Sequence, residues 1–205
     1  MTRLRSYDDP CGIARALDVV GDRWALLVVR ELVFGPKRFS DLKSALRMSQ
    51  NVLSQRLAEL EQGGVVQHHN ADSSYELTAW GHELHPILLQ LGRWGARSGK
   101  RPAGTLGSDA LMLALEATFQ PKLAEHLAVT IELHFGDERF RVRVNRGHLD
   151  ISRGTAENPD VVIECAPETL RRLVFGDMKL AVAAVVIHGD RARAKAFLKL
   201  FARPR

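Results

Sequence analysis

Cysteine is nearly missing from this chain: Cys11 and Cys165 are the only two in 205 residues. Two thiols so far apart make no disulfide framework, and they point to a reducing, cytoplasmic setting. Long apolar runs are missing too. Stretches such as Leu180–Ile187 fall far short of the roughly 18 residues that span a bilayer, so no membrane insertion is expected. The first nine residues hold no apolar stretch, which argues against a secretory signal. There is no internal repeat, no low-complexity segment, no glycine-rich phosphate loop, no nucleophile elbow and no Cys-x-x-Cys pair. With no catalytic grouping in view, an enzyme is not expected, nor is a cofactor or metal. His82 and His85 lie three apart on a helical stretch, but no third ligand stands near them in sequence, so they read as solvated or packing histidines.

What is present is a basic, core-forming chain. Apolar residues make up 45%, and the net charge is +5 with a pI near 9.6. The excess is spread evenly: residues 1–100 hold 13 Lys and Arg against 11 Asp and Glu, and residues 101–205 hold 16 against 13. A nucleic-acid partner suits such a chain, but its footprint must come from local arrangement and not from a basic tail.

Periodicity predicts a helix over 10–20, with Asp9 as cap, Pro10 at its first position, and Ile13, Leu17 and Val20 on one side. Asp22 is expected to cap a second, largely apolar helix over Arg23–Phe34, stopped by Gly35-Pro36. Ser40 opens a third carrying Leu42 and Leu46, Arg47-Met48 make a tight turn, and Ser49 caps a fourth running to Gln62. On that fourth helix Val52, Leu53, Leu57 and Leu60 are expected to face inward. Strands Val65–His69 and Ser74–Leu77 read as a hairpin joined by Asn70-Ala71-Asp72-Ser73. Thr78 then caps a long helix over Ala79–Arg97, with Leu84, Leu88, Leu91 and Trp94–Gly95 forming a seam suited to another helix.

Helix, tight turn, helix and hairpin follow one another as helix-turn-helix binding with a wing requires. The second helix of such a pair enters the major groove, where amides, hydroxyls and arginine read base edges. Ser49, Gln50, Asn51, Ser54, Gln55 and Arg56 are therefore the candidates for base contact. Lys37, Arg38, Ser40 and Lys43 are placed for phosphates, and His68 and Asn70 are the nearest wing candidates, beside His69. On periodicity alone, a plain helical bundle with a polar solvated face is an equal reading.

The wording of the sequence separates the two. Cys11, Gly21-Asp22-Arg23-Trp24, Leu27, Arg30-Glu31-Leu32, Gly35-Pro36-Lys37-Arg38-Phe39, Leu42, Ser49 through Leu57, Leu60 and Tyr75-Glu76-Leu77-Thr78 stand in the order and spacing of the HxlR family. Residues 8–97 thus resemble that family, itself similar to MarR-type regulators. The resemblance implies a dimeric winged-helix regulator that binds double-stranded operator DNA, with helices 10–20 and 79–97 as the dimer interface. The wing departs from the family pattern: its turn is short and lacks the usual proline-containing stretch. In some family members a cysteine matching Cys11 senses oxidants or electrophiles. A helix N-terminus favours the thiolate there, while Asp8 and Asp9 work the other way.

Ser98 to Gly104 has the composition of a linker, which divides the chain into 1–98 and 105–205. Beyond it a helix over Ser108–Gln120 buries Leu111, Leu115 and Phe119, with Pro121 at its end. Alternation then predicts a strand with Val129, Ile131, Leu133 and Phe135 on one face and Thr130, Glu132 and His134 on the other. Its neighbour sets Phe140, Val142 and Val144 against Arg139, Arg141, Arg143 and Asn145, a stripe read as a solvated outer face. Strands Leu149–Ser152, Val161–Cys165 and Val186–Ile187, and helices Pro167–Phe175, Lys179–Ala184 and Ala192–Phe201, complete the pattern. The whole is an α+β chain: a winged helix-turn-helix domain followed by a sheet-and-helix domain.

Asn158-Pro-Asp-Val-Val-Ile163, Pro167–Phe175, and Ile187-His-Gly-Asp-Arg-Ala192 with Phe197-Leu-Lys-Leu-Phe201 resemble, diffusely over 106–202, sterol-carrier-protein-type domains. That resemblance implies an apolar tunnel for a lipid-like effector, with Phe119, Leu123, Leu127, Leu133, Phe175, Met178 and Val182 as candidate lining. As ordinary apolar residues the same set would simply be core. The function expected is a dimeric DNA-binding regulator controlled by a hydrophobic small molecule. The alternative is a lipid carrier whose helical half mainly dimerises.

Overall fold

The computed structural model describes residues 6–98 and 104–202. Residues 99–103 of the expected linker and residues 1–5 of the N-terminus lie outside the described residues. The chain divides into two compact units, Met1–Leu88 and Leu89–Arg205.

The first unit is built around the apolar helix α2 (Ala25–Leu32), whose Ala25, Val28, Val29 and Leu32 are fully buried. It starts later than its sequence suggests. Trp24 takes a left-handed backbone (φ 81°) at its N-cap, and Asp22 contributes only its carbonyl, to the Ala25 N–H. Helix α1 (Gly12–Val20) also starts late. Asp9 does not cap the helix; its Oδ1 accepts the Cys11 N–H at 2.8 Å, which leaves Cys11 as N-cap. Val20 is buried as expected, but Ile13 and Leu17 are exposed.

Helix α3 (Phe39–Leu46) begins one residue before Ser40, because Asp41 accepts the N–H of Arg38. Helix α4 (Gln50–Gln62) is capped by the Ser49 hydroxyl, which accepts the Val52 N–H at 3.5 Å. Leu53, Leu57 and Leu60 are fully buried, each a burial that stabilises by about 1.5–3 kcal/mol. Val52 is exposed, because the 3.6-residue period turns it off the Leu53 stripe.

Two residues the sequence left in a loop, Lys37 and Arg38, form strand β1. It pairs with β3 (Ser74–Leu77), which pairs in turn with β2 (Val66–His69), giving the order β1-β3-β2. The single helix expected over 79–97 is two: α5 (Ala79–His82), capped by the Thr78 hydroxyl, and α6 (Leu84–Gly95). Pro86 explains the break. It has no N–H for the carbonyl of His82, and it disfavours helical backbone just before it.

The second unit is a five-stranded sheet with helices packed on one face. Its strands are β4 (Ala128–Phe135), β5 (Glu138–Asn145), β6 (His148–Arg153), β7 (Val161–Cys165) and β8 (Val185–Gly189). Their order is β6-β5-β4-β7-β8, with β4 and β7 parallel and the rest antiparallel. Val129, Ile131, Leu133, Phe135, Phe140, Val142 and Val144 are buried, as their alternation predicts. The helices are α7 (Ser108–Thr118), α8 (Pro167–Val174) and α9 (Arg191–Leu198). Phe119 leaves the helix that was expected to hold it and bridges Phe201 in an antiparallel pairing, with ring centroids 6.1 Å apart. The helix expected over Lys179–Ala184 is a single 3-10 turn, Leu180–Val182.

Among the described residues of this unit two charged groups are buried. Asp109 on α7 is held by Arg153, whose guanidinium also lies 4.6 Å from the Phe140 ring centre. Glu132 lies on the face expected to be solvated, yet is only 8% exposed. Its Oε2 accepts the Ala156 N–H at 2.7 Å and its Oε1 meets His134 Nε2 at 2.6 Å. The connection from edge strand β6 to inner strand β7 thus passes over Glu132 and is pinned by it. Arg141 and Ser152 share this face, and their Nε and Oγ atoms are buried without a protein partner.

Candidate nucleic-acid interface

Between α3 and α4 the chain turns on Arg47, whose left-handed backbone (φ 52°, ψ 41°) closes α3. Met48 tucks under the turn, and Ser49 restarts the chain as α4. The capped end of α4 presents Gln50, Asn51 and Ser54 to solvent. Among the described residues none of these three side chains spends its hydrogen-bonding groups on the protein. Gln55 is also exposed, but its amide donates to Glu59 Oε1 at 3.0 Å.

Arg56 is placed differently from its neighbours. Only 12% of its side chain is exposed; Nη1 lies 2.6 Å from Asp22 Oδ2 and also contacts Glu59. It braces α4 against the segment before α2 and does not project with the amides. Lys37 is likewise committed, its Nζ 2.9 Å from Glu31 Oε2. Glu31 is buried to 2% exposure and also takes the Arg30 guanidinium at 2.7 Å. Sequence spacing marked both residues as DNA contacts, because a cation on an outward stripe looks the same whether or not an acid waits beside it.

Arg38 and Lys43 are exposed and form no ion pair among the described residues. Ser40 is exposed but donates to Asp41 Oδ1 at 3.2 Å. Arg47 was not among the candidates, yet it too is exposed and unpaired among the described residues. The signal for it was there: a cation in the turn just ahead of a helix whose N-terminus carries the reading groups.

The wing is poorly equipped to grip phosphate. Residues 64–78 contain no Lys or Arg. His68 stacks on Tyr75 with ring centroids 4.5 Å apart, and His69 Nε2 lies 2.6 Å from Glu76. Asn70 is exposed near the tip. Asp72 accepts both the N–H and the hydroxyl of Ser74, which hold its carboxyl below the usual range.

The two thiols differ. Cys11 is exposed, and the N–H groups of Ile13 and Ala14 draw its thiol below the ordinary value. Burial pushes the Cys165 thiol up to about 11.

The residues expected to line a tunnel in the second unit differ in exposure. Leu133 is fully buried core, while Leu123 and Val182 are 57% and 79% exposed. Phe119, Leu127 and Phe175 are half-buried. Met178 alone of the set lines a cleft of about 380 Å³, together with Leu173, Val174, Leu180, Leu198 and Phe201. Alternation tells an apolar face from a polar one, but it cannot tell packed core from cavity wall. Among the described residues no three or more His, Cys, Asp or Glu are grouped to hold a metal, and no helix is long and apolar enough to cross a membrane. His85, of the spaced histidine pair, meets Phe34 edge-on at 6.2 Å.

A helix-turn-helix whose second helix opens with solvent-facing amides, followed by a β-hairpin, is a winged helix-turn-helix arrangement. The match to known proteins names the kind. Residues 19–102 fit the family model described as HxlR-like helix-turn-helix. YvaP of Bacillus subtilis, an uncharacterized HTH-type transcriptional regulator, is 40% identical over 86 residues, which cover 39% of this chain and 80% of YvaP. Rv3095 of Mycobacterium tuberculosis, described in the same terms, is 36% identical over 97 residues, or 45% of this chain; the chain spans only 61% of that relative's length. The crystal structure of quinone-bound YodB from B. subtilis is 32% identical, with 40% of this chain and 93% of that one covered and a TM-score of 0.38. The chain belongs to the HxlR family of helix-turn-helix transcriptional regulators.

Proposed function

We propose that the chain is a sequence-specific, operator-binding regulator that acts as a homodimer and answers to a hydrophobic small molecule held in its second unit. One observation carries the DNA reading: among the described residues Gln50, Asn51 and Ser54 stand uncommitted at the capped start of α4, and Arg38, Lys43 and Arg47, in the strand, helix and turn that precede it, form no ion pair. Gln and Asn amides can pair bidentately with adenine, and the cations suit flanking phosphates. Residues 1–98 form the DNA-binding domain in this reading, residues 105–205 the effector domain, and the cytoplasm is where both would work.

A single such helix reads only a few base pairs, so two copies related by a twofold axis suit half-sites about one turn apart. The apolar side chains exposed on α1 (Ile13, Leu17) and on α6 (Ile87, Leu91, Trp94) are what a second copy would cover. An effector shifts operator affinity only if it binds the two DNA-binding conformations unequally.

Footprinting on the DNA upstream of the chain's own coding region tests the reading. A protected near-palindrome that is lost in Asn51→Ala with the fold intact supports it. Sequence-blind binding by the native chain would favour instead a carrier whose first unit serves mainly to dimerise.

A further inference from the structure

The cleft in the second unit is not uniformly apolar. Leu173 and Val174 of α8, Met178 and Leu180 after it, Leu198 at the end of α9 and Phe201 just beyond it form an oily wall. Lys195 and Lys199 complete the lining, and both are exposed. These two lysines are four residues apart, so they stand one above the other on the same helical face. Like charges so placed repel each other, and among the described residues neither is paired with a carboxylate. The negative end of the helix dipole offsets part of that repulsion, but it does not account for two ammonium groups bordering an apolar floor.

The volume, about 380 Å³, falls within the range of small-molecule sites, roughly 300–1,000 Å³. A wholly neutral hydrophobe would use the wall and leave both charges unanswered. A ligand with a negative head and one apolar tail would use both. From this we infer that the cleft takes a single-chain amphiphile with an anionic head, carboxylate or phosphate, its charge between Lys195 and Lys199 and its tail along Leu173, Met178, Leu198 and Phe201. The inference rests on the effector reading of the second unit and specifies its chemistry. It also moves the site from the residues first expected to line it, of which Met178 alone is retained.

Calorimetric titration of the full-length chain with decanoate, decyl phosphate and decanol, each as monomer in solution, tests it. The two anions should bind at least roughly tenfold tighter than the alcohol. Which anion binds tighter tells carboxylate from phosphate. In the double variant Lys195→Gln/Lys199→Gln that preference should vanish, with binding of the alcohol and the thermal midpoint unchanged. Decanol binding as tightly as decanoate, or anion binding untouched by the double variant, would overturn the anionic site while leaving a hydrophobic effector in place. No binding of any probe by the folded chain would overturn both. Operator binding measured on the same preparation reports separately on the DNA-binding reading.

Discussion

Arg56, in the middle of α4, reaches Asp22, 34 residues earlier, with its Nη1 at 2.6 Å from the carboxylate. Glu59, one turn on, holds the same nitrogen. The arginine that sequence spacing offers as a base reader thus ties α4 to the segment before α2. Its charge is spent on two carboxylates, and its Nε is buried.

Arg56→Ala is therefore expected to act through stability. Asp22 is well exposed, so the ion pair itself is worth no more than about 1 kcal/mol. Lost packing of the arginine stem adds to that. Denaturant melts should show the loss. The salt dependence of DNA binding should keep its slope in this variant, whereas Lys43→Ala should reduce it by about one contact. A slope reduced by Arg56→Ala as much as by Lys43→Ala would return Arg56 to the phosphate contacts.

Thiol labelling separates the two cysteines. Backbone N–H groups lower the pKa of exposed Cys11, and burial raises that of Cys165 to about 11. Near pH 8 only Cys11 has an appreciable thiolate fraction. Iodoacetamide should modify it at least roughly tenfold faster than Cys165, and Cys11→Ser should abolish the fast phase. Equal rates would mean that the second unit opens readily around Cys165.

Glu132 makes the second unit sensitive to acid. Burial pushes its carboxyl up, but the Ala156 N–H, His134 and the charge of Arg139 together outweigh this and hold it below the usual range. A carboxyl depressed in the folded state stabilises above its unfolded value, about 4.3, and that contribution is lost as pH falls through the folded value. Glu132→Ala should cost about 1.5–3 kcal/mol at pH 7 in urea melts. The gap to the native chain should narrow below pH 4. A gap that stays constant down to pH 3 would show that the anion does not pin the crossover.

Gly81 has no room for a methyl group. A Cβ there would come within 2.1 Å of the Val65 carbonyl oxygen, which already accepts the Thr78 N–H. Gly81→Ala should destabilise the winged-helix unit by roughly 1–3 kcal/mol, visible as a lower thermal midpoint. An unchanged midpoint would show that α5 can lift off the hairpin freely.

The parts of the fold that were legible in sequence are those set by local chemistry and simple periods. Ser49 before an apolar stripe gave the start of α4, and alternation gave the buried core face of β4 and β5. What escaped was fixed by groups distant in sequence. Nothing around Lys37 and Arg38 marks a strand; pairing with Tyr75 and Ser74 makes one. Nothing on β4 says that the β6–β7 connection will cover Glu132. Arg56 and Lys37 look like neighbours of the reading residues until Asp22 and Glu31 are seen beside them. Pro86 is the exception: the signal was local and was masked by the leucine seam around it.

Titration of a duplex carrying the protected upstream sequence, over a salt series, with native chain and with Gln50→Ala/Asn51→Ala, tests the central claim most directly. The native chain should bind with an affinity that falls steeply as salt rises. The double variant should keep its salt slope and lose tens-fold or more in affinity for that sequence, on the order of 1–3 kcal/mol for each amide pair. A double variant that binds the sequence as tightly as the native chain does would contradict the assignment of α4 as the reading helix.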